Sequence, residues 1–178
     1  GEVARLMLAL PAPAASHADH PPLKLLTTLL AGGRASRLNR SLVEEDQLCV
    51  WVSADITEGL DASHITLAFE VVPGVEPARV EAAVLSQLDL LLSSPVEASE
   101  MERALQTAIA DWVFNHEKVH EQALSAGLAL TLFDAEYLDR HMQGLIESGA
   151  ERLQEVAKRY LDPRGGGILG WSLPRSDA

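Results

Sequence analysis

Cysteine is nearly absent from this chain of 178 residues: Cys49 stands alone, which excludes an internal disulfide and a metal site built from several thiolates. It lies in an alternating apolar run, so a buried, inert thiol is expected. Basic residues are also scarce, 14 against 26 acidic ones, for a formal charge of -12. That sign opposes nucleic acid, which is bound by displacing counterions with cationic side chains. It equally opposes an anionic membrane surface. A solvated acidic surface is the simple account, and a preference for basic substrates is the sharper one. Apolar runs such as Leu88 to Leu92 are far too short to span a bilayer. No basic-then-apolar leader opens the chain, which starts at Gly1 with strand-like sequence, as a piece of a longer protein would. Bacterial periplasm and cytoplasm both fit, and the sequence assigns neither. There is no Gly-x-Ser-x-Gly elbow to anchor a serine hydrolase, and Gly32-Gly33 lacks the lysine of a phosphate loop.

The composition present, 47% hydrophobic and 22% charged, is that of a globular domain with room for a core. Val3 to Leu10 reads as a strand running into a Pro-rich, exposed loop from Ala12 to Pro22. Leu23 to Leu30 has helical spacing and is stopped by Gly32-Gly33. A second helix follows from Ser36 to Glu45. At Leu48 the period changes to two: Leu48, Val50, Val52, Ala54 and Ile56 form an apolar strand face, and Ile65, Leu67, Phe69 and Val71 form another. The short link between them predicts an antiparallel hairpin.

Most of the remainder is helical. Pro77 to Leu92 is one helix. A long one is expected from Glu97 to Leu132, bent near Gly127, with Ser99 and Glu102 at capping-box spacing. Asp134 to Glu147 and Ala150 to Tyr160 follow, and Ile168 to Leu173 is a last strand. Helices and strands do not alternate singly, so the expected fold class is α+β, an antiparallel sheet with helices packed on one face. No repeat, linker or low-complexity tract divides residues 1–178.

His116-Glu117-Lys118-Val119-His120 matches H-E-x-x-H. On a helix, histidines four apart share a face and can hold zinc, with the glutamate as base for a bound water. Against this, His116 falls within the helix's predicted apolar stripe of Leu105, Ile109, Trp112, Val119 and Ala123, where a hydrogen-bonded core histidine is the simpler reading. No third histidine follows at metzincin spacing, leaving only Glu136 or Glu147 as distant candidates. His17 and His20 have a spacing that permits a metal contact, although a solvated loop explains them more simply. His64 falls on a polar strand face, and His141 is alone on a helix.

A different segment is more specific. Leu29 to Glu45 carries Gly32-Gly33-Arg34-Ala35-Ser36-Arg37-Leu38, a helix ending in glycines before Ser-Arg-Leu opens the next. It resembles a signature of the pitrilysin-like zinc peptidases, the inverzincins. The opening strand with His17 and Asp19, the stretch Pro95 to Ala104, and Glu151 to Pro163 agree in order and spacing. The resemblance implies that residues 1–178 are one C-terminal, non-catalytic half-domain of a longer protein. It also implies no cofactor in this chain, zinc in a partner catalytic half held by H-x-x-E-H, and a peptide substrate enclosed between the halves. The chain itself contains no H-x-x-E-H. An arginine and a tyrosine that reach substrate in many such halves correspond here to Val43 and Val50, neither able to donate a hydrogen bond. No activity is expected of the chain alone. The parent is then a metalloendopeptidase; the alternatives are a structural or assembly subunit, and a stand-alone zinc peptidase using His116, Glu117 and His120.

Overall fold

A computed structural model describes residues 3–174. Four strands, β1 (Arg5–Pro13), β2 (Cys49–Ile56), β3 (Ala62–Val71) and β4 (Ile168–Ser172), form a sheet in the order β2-β3-β1-β4, every pair antiparallel. Alternation decides the faces. Leu6, Leu8 and Leu10 of β1 and Ile65, Leu67, Phe69 and Val71 of β3 are buried, while Met7, Trp51 and Ile168 face outward. The expected α+β class, with one covered face, is what forms. β1 runs on through Pro11 and Pro13, further than its apolar pattern suggested. It can do so because β4 pairs only with Arg5 to Ala9, so beyond Ala9 one edge of β1 is free and a missing N–H there costs little.

Helix α1 (His20–Ala31) crosses the buried face and packs against β2, α3, α5 and α6. Leu23, Leu25, Leu26 and Leu30 are all fully buried. A helix apolar on every side must be covered on every side, and full burial of each leucine contributes roughly 1.5–3 kcal/mol. The other helices are α2 (Pro77–Ser93), which packs on α6, α3 (Ala98–Asn115), α4 (Val119–Leu132), which packs on α5, α5 (Tyr137–Glu147) and α6 (Ala150–Tyr160).

Four local expectations are corrected. The segment after the glycines is helical as expected, but Asn39–Glu45 winds as a π-helix and not an α-helix: the Asp46 N–H donates to the carbonyl of Ser41, five residues back, at 2.8 Å. The cap of α3 lies two residues earlier than expected, with Glu100 Oε2 accepting from the Glu97 N–H at 3.3 Å. The single long helix is two, parted at His116–Lys118 and not bent at Gly127. Consequently Val119 and Ala123 do not continue the stripe of α3 toward the core; both are exposed. Finally, the loop before α1 is not wholly exposed, since Asp19 and His20 are buried.

Candidate functional site

The motif Gly32 to Leu38 is built for a close turn. A Cβ on Gly32 would lie 2.5 Å from the Thr28 carbonyl oxygen, and Gly33 has φ +98°. Ser36 Oγ donates to the Gly33 carbonyl at 2.6 Å, closing the turn. Arg37 then reaches α3, its Nε and Nη2 donating to the two oxygens of Glu100 at 3.0 and 2.7 Å. This fork is mostly sheltered from water, and the Arg37 hydrogen bond holds the Glu100 carboxyl below its usual range despite burial. Leu38 and Leu42 are fully buried beneath it. The motif therefore fixes the wide turn that leads into β2.

Val43 lies on that turn, partly buried against the core. Val50 does not join the apolar face of β2. The pairing of β2 with β3 slips between Cys49 and Trp51, a bulge that turns Val50 outward to 55% exposure. Strict alternation could not foresee this, because one extra residue inverts the pattern on either side of it. Cys49 is buried, and burial pushes its thiol up to about 11. β2 is an edge strand of the sheet, so Val50 and Trp51 stand beside backbone groups with no strand on their outer side.

The H-E-x-x-H pattern does not make a helical face. His116 ends α3, Glu117 and Lys118 form the turn, and His120 lies in the first turn of α4. His116 Nδ1–H donates to the Trp112 carbonyl at 2.8 Å, and its ring stacks on Trp112 at 4.0 Å. His120 instead approaches Glu121, both well exposed. Among the described residues, no three His, Cys, Asp or Glu side chains are grouped to hold a metal ion. His116 and His120 thus do not share the helical face that zinc binding by this motif requires.

His17 and His20 also part company. His17 Nδ1 accepts from the Asp19 N–H at 3.0 Å in the loop, whereas His20 is buried and its Nε2–H donates to the Thr57 carbonyl at 3.1 Å. The ring of His20 lies 5.8 Å from that of His141, which is buried rather than alone. Burial, then the neighbouring His20 and Lys24, pushes His141 down to about 4.

One cluster was not visible in the sequence. Asp19, 1% exposed, accepts from Arg152, from Arg159 Nη1 at 2.8 Å and from Tyr160 Oη at 2.8 Å. Burial raises its pKa, but the Tyr160 hydrogen bond with Arg152, His17 and Arg159 outweighs that, and the carboxyl is held below its ordinary value. The partners are more than 130 residues away in sequence, so only the fold reveals that two separately recognisable stretches are halves of one clamp.

The arrangement defines a class: an α+β domain with helices over one face of an antiparallel sheet, which assembles no metal site among its described residues. The family model for the peptidase M16 inactive domain matches residues 1–108, and the chain belongs to that family. Solved structures agree on the fold. An inactive peptidase domain from Bordetella parapertussis is 21% identical, with TM-score 0.90, covering 100% of this chain and 94% of that one. A protease from Helicobacter pylori is 20% identical, with TM-score 0.88; 98% of this chain corresponds to 42% of that protein. A chain of Complex III2 from Candida albicans is 11% identical, with TM-score 0.80, over 95% of this chain and 42% of that one. No curated protein sequence matches.

Proposed function

We propose that residues 1–178 form the non-catalytic C-terminal half of a zinc metallopeptidase, walling a peptide chamber opposite a zinc-bearing catalytic half. The observation that carries this reading is the match to the M16 inactive domain, on a chain spanning 42% of the Helicobacter pylori protease's length. The free edge of β2 supports a peptide laid beside it as an added strand, since edge N–H and C=O groups pair with any extended backbone. Val50 and Val43 then line the path by shape, without hydrogen bonds to a developing oxyanion. The catalytic half alone should cleave an unfolded peptide slowly, and adding this chain should raise turnover in a saturable manner. Turnover that stays flat across a concentration series of the chain would remove the supportive role. The apolar pair at Val43 and Val50, with the likeness to a chain of Complex III2, favours a second reading as an assembly subunit. In that case the chain should bind its partner while turnover remains unchanged.

A further inference from the structure

Helices α3 and α4 meet at the His116–Lys118 turn and then part, α3 onto α1 and α4 onto α5. Both line a cavity of about 430 Å3, a size that holds one small molecule or one long side chain. Ala129, Tyr137, His141 and Leu145 are buried and make its floor. Glu58, Asp111 and Asn115 are exposed and stand at its mouth. Three residues of the lining carry a buried polar atom with no hydrogen-bond partner among the described residues: His116 Nε2, Tyr137 Oη and His141 Nδ1. Tyr137 is 5% exposed and His141 9%. Unpaired buried polar atoms are costly, so three of them around one cavity call for a polar occupant.

The lining selects the chemistry of that occupant. His116 Nδ1 carries the hydrogen given to the Trp112 carbonyl, which leaves Nε2 as an acceptor. Burial, and then the charge of Glu58, pushes the Tyr137 hydroxyl up to about 12, so it is a neutral phenol whose oxygen accepts as well as donates. Glu58 and Asp111 make no ion pair among the described residues, whereas Lys24, the one lysine of the lining, is held by Asp55 at 2.7 Å. The stacked pairs Trp112–His116 and Phe133–Tyr137 both line the cavity, and aromatic faces attract cations. Leu128, Leu132 and Leu145 add apolar surface. Unpaired acceptors, two uncompensated carboxylates and aromatic walls suit a ligand that is rich in donors, positively charged and apolar in its body. A protonated amine has three donors and no acceptor.

We propose that the cavity between α3, α4 and α5 binds an organic cation, a protonated amine on an apolar or aromatic body, with the body against the rings and leucines and the amine taken by Glu58, Asp111 and the unpaired acceptors. A free amine and the lysine side chain of a peptide share this chemistry. No residue of β2 lines the cavity, so the site is distinct from the sheet edge and stands whether or not the half-domain reading does.

The test is a calorimetric titration of the full chain with 2-phenylethylamine, with its neutral counterpart 2-phenylethanol, and with an acetylated, amidated lysine tripeptide. The amine should bind with a Kd on the order of 0.1–1 mM, as suits so small a ligand, and about tenfold more tightly than the alcohol. Glu58→Gln with Asp111→Asn changes two exposed positions, so the melting temperature should hold while affinity for the amine falls about tenfold and that for the alcohol stays put. Tyr137→Phe removes only an unpartnered hydroxyl, so it should melt like the wild type and bind the amine more weakly. Equal affinity for amine and alcohol, or amine binding untouched in the double variant, would overturn the cation and leave a merely apolar pocket. No binding of either at about 10 mM would overturn the site and assign the unpaired atoms to water. Peptide bound more tightly than amine, and lost in the double variant, upholds the site with a peptide lysine as its occupant; the reverse order upholds it with a free amine.

Discussion

His141 and His20 are buried imidazoles with ring centroids 5.8 Å apart, and both are harder to protonate in the fold than in solution. For His141 burial is the main cause, and the value falls to about 4. As pH drops below about 6.5, the unfolded chain takes up a proton that folded His141 refuses. The stabilisation is therefore whole above that pH and is lost as pH falls toward 4, at up to about 1.4 kcal/mol per pH unit. His20 acts in the same sense. Unfolding midpoints between pH 7.5 and 4.5 should fall steeply for the wild type and less so for His141→Phe; parallel curves would mean that His141 is protonated without cost. Asp19 has the opposite sign. Its depressed pKa makes its contribution complete above about pH 4 and lost as pH falls below that. Asp19→Asn at pH 7 should cost about 2 kcal/mol, because hydrogen bonds from two guanidinium groups and a hydroxyl lose their charged acceptor. A urea midpoint unchanged at constant slope would show that the clamp is dispensable.

At the scale of elements, the glycine turn separates two kinds of constraint. Gly32→Ala forces a methyl against the Thr28 carbonyl, with no flexible neighbour to yield, and should cost about 1–3 kcal/mol. Gly33→Ala meets open space and suffers only from its positive φ, about 1 kcal/mol. Equal losses in a denaturant titration would show that sterics and backbone strain are not separable here. The hairpin of β2 and β3 was legible because alternation and a short link are local signals. The α3–α4 break was not: nothing between Asn115 and Val119 is a glycine or proline, and the end of α3 is made instead by His116 folding back onto Trp112. The bulge at Val50 was hidden because its flanks, Leu48 and Val52, carry the right residues for an unbroken strand. The family motif was read correctly as a helix–turn–helix signature, but its central tie, Arg37 to Glu100, joins residues that no period connects.

For the whole molecule, the proposed half-domain reading is tested at Val43 and Val50, the two positions expected to lie beside substrate. The two positions differ in what they tolerate. Val50 stands outward on the bulge, so Val50→Tyr should change stability by no more than about 0.5 kcal/mol. Val43 packs partly on the core, so Val43→Arg should cost about 1–2 kcal/mol while leaving the fold intact. The double variant places hydrogen-bond donors at both positions, and donors aimed at a developing oxyanion act on the chemical step more than on binding. If the peptide runs along the β2 edge beside these residues, the reassembled double variant should show a raised kcat with KM little changed. A change confined to KM would place the two side chains against the ground-state peptide instead. Rates identical to wild type, with assembly intact, would put the path of the substrate away from the β2 edge.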